Sequence, residues 1–346
     1  MPNPRPGFAA LVCAALLLFA STARAWNDAG HTTIDVLVYR NLSAELRDKL
    51  DEILRAHPRY EQDLLRGYEG PKDDRAARAE YAFAKAGTWP DMVRDRNNPA
   101  SAVHHKGNWH YTDVPFFPFG GEDKFKGEPA TPAKPGEPYD SISAWEYNLA
   151  RFHDESLPPP DRAVALCWVL HIGADSHQPC HNTSLYSEAH PTGDKGANEW
   201  LLMYRGERRN LHSLWDGWIG NDRSLSFAQT RATEIANLHP RAQFTAQVST
   251  QISARVSAQV SAGSSDQLAV TNIRDWVREG SRLAIEHVYL QGMITATPKK
   301  LADAEPNLPL PQVTDAYAKN ATTLSLRQAA LAAYRTANAL ATPPAQ

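Results

Sequence analysis

The spacing of apolar positions predicts a chain built mainly of α-helices. Apolar residues recur at helical intervals in segment 31–58, and Ser43 is placed to open a second helix within it. Residues 78–87 carry a further helical pattern. Longer patterns of the same kind cover 161–178, 271–290 and 323–340.

Two of the predicted helices have distinctive sequences. "DRAVALCWVLHIGADSHQ" is apolar on nearly every side, which is typical of a buried helix. Three prolines precede it, and Asp161 is expected to cap its start. In "QVSTQISARVSAQVSAG", Val248, Ile252, Val256 and Val260 recur every four residues and predict a peripheral helix with a narrow apolar stripe.

Strand patterns are scarce, and the best candidate is a short hairpin arm at 199–206. Two long irregular segments stand out: 112–140 is rich in proline and glycine, and 182–198 is polar. Long loops of this kind are often functional, and both flank segments that carry histidine. With no internal repeat or obvious linker, we predict an all-α fold class: a single, mainly helical domain over 26–346 with at most a small hairpin.

The first residues differ from the rest of the chain. Arg5 precedes an apolar run at 8–20, and Ala23-Arg24-Ala25 follows it. A positive start, a short apolar core and an A-x-A site are typical of a cleaved signal peptide, so we predict a signal at 1–25 and a mature start at Trp26. An uncleaved anchor is the alternative. The mature protein is expected to be secreted or periplasmic, without a membrane anchor.

Composition narrows the possible partners. The chain has 346 residues, of which 42% are hydrophobic and 22% charged, with a formal net charge of −3. Such a chain has no basic surface in bulk to hold a nucleic acid, so bound phosphates would need local cations or metals. After signal removal the remaining cysteines are Cys167 and Cys180, which form no disulfide framework, although one bond between them is an alternative.

The densest chemistry lies in "HIGADSHQPCH". His171 and Asp175 are four residues apart and share a helix face, whereas His181 follows the helix end. "NLHSLWD" repeats the spacing with His212 and Asp216. Two such pairs and a loop histidine suggest a site with more than one metal, and these ligand types suit zinc. For each pair taken alone, the alternative is a core histidine whose ring nitrogens are hydrogen-bonded within the protein and bind no metal.

Three further segments carry metal-capable or aromatic groups: "WNDAGH", "TWPDMVR" and "NWHYTD". Together with the two His/Asp segments and "GDKGAN", this ordered set resembles the secreted zinc-dependent single-strand-specific nucleases and 3′-nucleotidases, the S-one/P-one class. That class shares its fold with zinc-dependent phospholipases C. The resemblance covers essentially the whole mature chain.

The resemblance implies three zinc ions per chain. The first would be bound by Asp91, His110, His171 and Asp175. The second would be bound by the amine and carbonyl of Trp26, by His31, and by Asp175 as a bridge. The third would be bound by His181, His212 and Asp216.

The resemblance also implies a mechanism. Water activated between the paired zinc ions would attack phosphorus in line, oriented by Asp91, and Arg94 would help to neutralise charge on the phosphate and the departing 3′ oxygen. The products would be 5′-phosphates from single-stranded DNA or RNA, or a nucleoside from a 3′-nucleotide. Tyr111 would stack on a base and Asp113 would accept from its edge. A core aromatic and a loop cap are the alternatives for these two residues.

Two other functions remain open at this stage. A phospholipase C would use the same metals on a lipid headgroup, but the short spacing from Trp26 to His31 and an aspartate at 216 favour the nucleases. A non-enzymatic zinc-binding secreted protein is the other alternative. No protein partner is implied. We expect His177 and Gln178 to form structural hydrogen bonds and Cys180 not to bind metal, and we note Ala197 where the family usually has glycine.

Overall fold

The structure is a computed structural model that describes residues 26–123, 136–245 and 266–343. The predicted signal peptide and the predicted helix at 248–260 lie outside these residues. The mainly helical fold predicted from the sequence is confirmed. The α-helices are α1 (Asp28–Arg40), α2 (Ala44–Arg55), α3 (Arg75–Ala86), α4 (Trp89–Met92), α5 (Ser101–His104), α6 (Ser141–His153), α7 (Pro159–Asp175), α8 (Leu211–Asp216), α9 (Leu225–Leu238), α10 (Ile273–Leu283), α11 (Lys299–Ala304) and α12 (Asp315–Ala341).

Shorter helical turns connect several of these elements. They include 3₁₀ turns at Gly107–His110 and Pro179–Asn182, which matter for the site described below. Side-chain caps begin the first two helices: Asn27 accepts from the amide of Gly30 at 2.9 Å, and Ser43 accepts from Leu46 at 3.2 Å. The predicted start of α2 at Ser43 is therefore confirmed.

The start of α7 differs from the prediction. The helix begins at Pro159, its N-cap is Pro158, and Asp161 lies inside the first turn without capping it. Prolines fit here because the first helical amides have no partner within the helix, so their absence loses no hydrogen bond. Asp161 favours the same end of the helix through its negative charge instead.

Helix α7 is the centre of the fold. It packs against α1, α2, α3, α4, α6 and α12. Its residues from Ala165 to Asp175 are all buried, including His171 and Asp175. Burial of each large apolar side chain contributes about 1.5–3 kcal/mol, whereas the two polar side chains need partners to offset their loss of water.

The strands are short and lie in two small sheets. Strand β1 (Val114–Phe116) pairs in parallel with β2 (Thr183–Leu185). Strand β3 (Trp200–Tyr204) pairs with β4 (Glu207–Asn210) as the predicted hairpin, and β5 (Thr297–Pro298) adds to its other edge. The β1–β2 pair and β5 exceed the single hairpin that the sequence predicts. Each of these strands is too short to leave a periodic pattern in the sequence.

The buried apolar residues form two clusters. The larger surrounds α7, and the smaller contains Cys180, Ala197, Trp215 and Tyr289 next to the β3–β4 hairpin. Cys167 and Cys180, the two cysteines within the described residues, are buried free thiols. Among the described residues, no helix combines the length and the hydropathy needed to cross a membrane.

Gly173 lies where α7 crosses α12, and it yields a test of this packing. A β-carbon at this position would lie 2.3 Å from Thr336 Oγ1 and 3.1 Å from the Trp145 ring. Alanine favours a helix over glycine by about 1 kcal/mol, but overpacking costs about 1–3 kcal/mol. We expect Gly173→Ala to lower the free energy of unfolding by about 1 kcal/mol, measured by urea denaturation.

The matched control is Thr336→Ala, which removes the crowding hydroxyl. The double variant should be more stable than the sum of the two single changes predicts. Additive effects would contradict a direct clash at this crossing.

Candidate metal centre

The metal-capable side chains come from short elements and helix ends around α7. All of them are buried, with at most 5% of the residue surface exposed. They form three clusters, each with its ligand atoms within 4.8 Å of one another. The clusters are His31, His171 and Asp175; Asp91, His110 and His171; and His181, His212 and Asp216.

The first cluster joins α1 to α7. His31 Nε2 lies 3.3 Å from Asp175 Oδ1, and His171 Nε2 lies 3.0 Å from Asp175 Oδ2. The rings of His31 and His171 stack with centroids 4.3 Å apart. The spacing of four residues within "HIGAD" therefore does bring its histidine and aspartate onto one helix face.

The second cluster shares residues with the first. His110 Nδ1 lies 2.7 Å from His171 Nε2, 3.8 Å from Asp91 Oδ1 and 3.7 Å from Asp175 Oδ2. The sequence resemblance assigned His171 to one metal only, but in the structure it lies within reach of both clusters. Two adjacent cation positions on either side of Asp175 follow from this geometry.

The third cluster lies where the Pro179–Asn182 turn meets α8. His181 Nε2 and His212 Nε2 are 3.1 Å apart, and His212 Nε2 lies 3.7 Å from Asp216 Oδ1. Gln178 donates to Asp216 Oδ1 at 2.6 Å. His181 Nδ1 is also 3.8 Å from Asp175 Oδ2, so the third cluster adjoins the shared pair.

Backbone carbonyls orient three of the histidines. His171 Nδ1 lies 2.7 Å from the carbonyl of Gly87, and His212 Nδ1 lies 2.5 Å from that of Gly196. His181 Nδ1 is 2.6 Å from the carbonyl of His110. A carbonyl only accepts, so each Nδ1 carries the proton and donates it, which leaves Nε2 free to bind a cation.

This tautomer makes the third cluster a test of whether a metal fits. Two Nε2 lone pairs, on His181 and His212, face each other at 3.1 Å with no proton between them. That contact is repulsive unless a cation separates the nitrogens. Two nitrogens bound tetrahedrally to one zinc at its usual bond length are roughly 3.3 Å apart, so the spacing fits.

Buried polar atoms without a hydrogen bond indicate that a metal also fits the first and second clusters, which share His171. Both oxygens of Asp175, Oδ2 of Asp91, both ring nitrogens of His31 and Nε2 of His110 are buried without a hydrogen bond. An unsatisfied buried polar group costs about 1–3 kcal/mol. A cation among these nitrogen and carboxylate donors would satisfy most of them, and this donor set suits zinc.

The charges of the cluster shift its pKa values in opposite directions. Burial opposes ionisation of Asp175, but the charge of His171 and its hydrogen bond outweigh it and hold the pKa of the carboxyl well below its usual range. Burial likewise opposes protonation of His171, but Asp175 reverses this and raises the pKa of His171 to about 9. His171 therefore carries a proton at a position where a metal would replace it.

The pKa values of three other members, His212, His110 and Asp216, respond chiefly to burial. Burial lowers the pKa of His212 to about 3 and that of His110 to about 4, so both rings stay neutral, as ligands must be. Burial also raises the pKa of Asp216 well above its usual range, and the hydrogen bond from Gln178 only partly opposes it. A cation in the third cluster would restore the carboxylate.

Trp26 is buried beside the clusters. Its indole nitrogen donates to the carbonyl of Ala174 at 3.1 Å, and the amide of Asn27 donates to the carbonyl of Asp216 at 3.3 Å. Trp26 therefore contacts Ala174, which precedes Asp175 in the chain. The next residue, Asn27, contacts Asp216 of the third cluster. Ligation through its amine stays a prediction.

A pocket of about 360 Å³ opens onto the clusters. Arg94, His110, His181 and His212 line it. Arg94 Nη1 donates to Asp91 Oδ1 at 3.1 Å, so the guanidinium is tied to a predicted ligand. The pocket therefore offers a cation and three histidines to one incoming group.

Tyr111 and Asp113 line the same pocket, and Tyr111 has 42% of its surface exposed. Asp113 is an exposed residue, yet the pocket that it lines withdraws its carboxyl group from water. This desolvation, together with the charge of Asp194, raises the pKa of Asp113 to about 6. The two residues predicted to bind a base therefore both line the pocket beside the metal clusters.

Two glycines that orient histidines were not selected from the sequence. A β-carbon on Gly87 would lie 2.4 Å from Asp35 Oδ2, and one on Gly196 would lie 2.2 Å from the carbonyl of Cys180. Only glycine fits either position. The signal is a glycine beside a ligand-bearing segment, in "AGTWPD" and in "GDKGAN".

The "GDKGAN" loop also has unusual backbone geometry. Lys195, Gly196 and Ala197 all have positive φ, between 57° and 67°. Asp194 holds the loop by accepting from the amide of Leu185 at 2.9 Å and from the Trp200 indole at 2.9 Å. Ala197 therefore adopts the backbone that a glycine would adopt, and the carbonyl of Gly196 still reaches its histidine.

The residues set aside as non-ligands have other contacts. His177 bonds the carbonyl of Gly173 at 2.8 Å and lies 3.2 Å from Arg335. Gln178 supports Asp216 directly. Cys180 is outside the three clusters found among the described residues.

Comparison with known proteins agrees with this geometry. The family model described as S1/P1 Nuclease matches residues 26–343. Nuclease S1 of Aspergillus oryzae (strain ATCC 42149 / RIB 40) is 35% identical over 96 residues, which is 27% of this chain and 30% of that protein. The chain thus aligns with under a third of this relative's length. Because the family model spans nearly all of the chain, we conclude that it belongs to the S1/P1 nuclease family, which hydrolyses phosphodiester bonds.

Proposed function

We propose that this chain is a zinc-dependent phosphodiesterase that acts outside the cytoplasm on single-stranded DNA and RNA and on 3′-nucleotides, leaving 5′-phosphates. The observation that carries the proposal is the group of three His/Asp clusters beside an open pocket. Family membership supports phosphodiester hydrolysis. The single-stranded substrate, the metal and the location are our inference.

The three clusters support one assignment of the zinc ligands, to which Trp26 is added from the sequence resemblance. His171, His110 and Asp91 would bind one ion, and Asp175 would bridge it to a second ion bound by His31 and by the amine and carbonyl of Trp26. His181, His212 and Asp216 would bind the third. When bound, zinc polarises the phosphate and lowers the pKa of water, which is the chemistry that a hydrolase needs.

The protein's own groups orient the reacting atoms. The guanidinium of Arg94 donates to Asp91 at 3.1 Å and lines the pocket together with three metal-site histidines. This guanidinium adds a positive charge beside the metal clusters. It donates to a phosphate oxygen and neutralises charge that develops as the 3′ oxygen departs. Asp91 orients the attacking water from the opposite end of the same ion pair.

The pocket wall suits a single-stranded substrate. A nucleobase can stack on the exposed ring of Tyr111 only if it is free of its own stack, which excludes a base inside a duplex. Asp113 then accepts a hydrogen bond from the edge of that base. Recognition by stacking tolerates every base, so the cleavage is expected to depend weakly on sequence.

The predicted signal peptide gives the location a chemical role. A free amine at Trp26 exists only after Ala25 is removed, so export and assembly of the bridged metal pair would be coupled. The burial of Trp26 against Ala174 holds this residue next to Asp175. An enzyme activated in this way would remain inactive on cytoplasmic nucleic acid.

The first experiment tests the substrate class. The mature protein, loaded with zinc, is offered single-stranded DNA, double-stranded DNA, RNA, 3′-AMP and phosphatidylcholine. We expect turnover of the single strands and 3′-AMP, 5′-phosphate ends on the fragments, and loss of activity on chelation that zinc restores. Cleavage of the lipid alone would favour a phospholipase, and zinc binding without any turnover would favour a non-enzymatic role.

The second prediction concerns Trp26. A form that retains Ala25 should bind one zinc fewer than the form that begins at Trp26. Its activity should fall at least about a hundredfold, because one zinc ion and its positive charge are lost. Metal content by elemental analysis is the primary measurement. His181→Ala is the matched comparison: it should lower the affinity for the third zinc and leave the bridged pair filled. Equal metal content in both N-terminal forms would contradict amine ligation.

The third prediction uses the pKa of Asp113. With a pKa of about 6, the carboxyl is mostly neutral at pH 5 and mostly ionised at pH 7. Only the ionised form accepts two base N–H groups, so KM for 3′-GMP should fall as pH rises through about 6. Asp113→Asn keeps the shape and should remove this step from the KM profile. An unchanged profile in the variant would exclude Asp113 as the titrating group.

A further inference from the structure

A second groove, of about 860 Å³, reaches the metal centre at Asp91. It shares no lining residue with the pocket that contains Tyr111 and Asp113, which we call the base pocket. The end of α3 forms one wall through Tyr81 and Lys85, and Arg66 lies on another. The hydroxyl of Tyr81 donates to the carbonyl of Arg66 at 2.7 Å and joins the two walls. We call this depression the strand groove.

The carboxylates that line the strand groove already have partners. Asp28 pairs with Arg223 at 3.2 Å, and Asp63 pairs with Arg59 at 2.7 Å. Asp95 accepts from the amide of Asn97 at 2.9 Å. Asp91, the remaining one, belongs to the second metal cluster.

Two cations of the strand groove have no carboxylate within ion-pair distance in the described part of the chain. Lys85 Nζ contacts neutral oxygens instead: Thr32 Oγ1 at 3.4 Å and the carbonyl of Arg223 at 3.2 Å. Lys85 lines the same groove as Asp91, which belongs to the second metal cluster. Arg66 is exposed on the groove wall.

Lys85 is also partly withdrawn from water. Burial lowers its pKa below the usual range, and Asp28 and Asp35 oppose the shift from a distance. An ammonium has three donors and no acceptor, and a phosphate oxygen would satisfy it better than the neutral oxygens that it now contacts. The strand groove is therefore suited to an anion next to the metal centre.

We propose that the strand groove binds the backbone phosphates of a nucleic-acid strand on one side of the cleaved bond, with Lys85 and Arg66 each contacting a phosphate. The inference rests on the proposed function and adds the substrate that this enzyme prefers. A polymer carries one phosphate per nucleotide and can reach the metal centre and the groove together. A 3′-mononucleotide has a single phosphate and gains nothing from the groove, so the groove makes this enzyme favour polymers.

The test compares polymer with mononucleotide in the zinc-loaded protein. Lys85→Met and Arg66→Ala should each lower kcat/KM for single-stranded DNA about tenfold, the equivalent of one charge-assisted hydrogen bond, and leave turnover of 3′-AMP unchanged. The slope of log Kd against log salt should fall by about 0.7 for each lost phosphate contact. Lys85→Arg keeps the charge and should retain most of the polymer rate.

Matched controls remove the same charges elsewhere. Lys319 and Arg282 are exposed and lie outside the groove. The variants Lys319→Met and Arg282→Ala should therefore change neither the rate nor the salt slope. Unchanged polymer kinetics and salt slope in the groove variants would overturn the inference. Equal losses on DNA and 3′-AMP would also overturn it, because Lys85 would then act at the metal centre.

Binding separates this inference from the proposed function. The dissociation constant for a short phosphorothioate oligothymidylate, which keeps the backbone charge, is measured for the same variants. Failure of the proposed function would appear as absence of turnover by the wild-type protein. Failure of the groove would appear as an unchanged dissociation constant and salt slope when Lys85 and Arg66 are replaced.

Discussion

The carboxylate of Asp175 is the constraint on which the rest of this structure depends. It is fully buried on α7, whose last eleven residues are all buried, and an unpaired negative charge there would cost several kcal/mol. Four histidines approach it: His171 at 3.0 Å, His31 at 3.3 Å, His110 at 3.7 Å and His181 at 3.8 Å. They come from α1, α7 and two 3₁₀ turns, so one buried charge joins elements that are distant in sequence. The contacts that hold these elements together around Asp175 are therefore also the contacts that form the metal centre.

The backbone determines how three histidines of the metal centre, His171, His181 and His212, present their nitrogens. Three carbonyls hold the Nδ1 protons, and two of the carbonyls belong to Gly87 and Gly196, which have no room for a β-carbon. The third belongs to His110, itself a member of the second cluster, so the second and third clusters share a backbone group as well as the neighbourhood of Asp175.

Much of this centre follows from residue spacing, because a helix brings positions four apart onto one face. The His171–Asp175 and His212–Asp216 pairs, the cap at Ser43 and the hairpin of β3 and β4 are all of this local kind. The β1–β2 pairing joins strands of three residues across about seventy positions of chain, and no periodicity in either segment indicates it. Carbonyl partners are equally hidden, because every residue has a carbonyl and only the fold decides which one faces a ring nitrogen. The side chain of Asp161 can cap a helix, which is why the sequence predicts it there, but the prolines that start α7 have no amide hydrogen to be capped.

The balance of charge explains how a chain of formal net charge −3 can act on a polyanion. Three zinc ions would outweigh the charges of Asp91, Asp175 and Asp216, so under the proposed function the cations that hold substrate would lie at the pocket and not over the whole surface. A buried positive site in an acidic protein attracts a phosphate only at short range, because mobile ions screen the field beyond about 10 Å. Capture of a long strand then requires cations just outside the metal centre. Arg94 in the base pocket and Lys85 in the strand groove lie in that zone, on two depressions that meet at the metal centre.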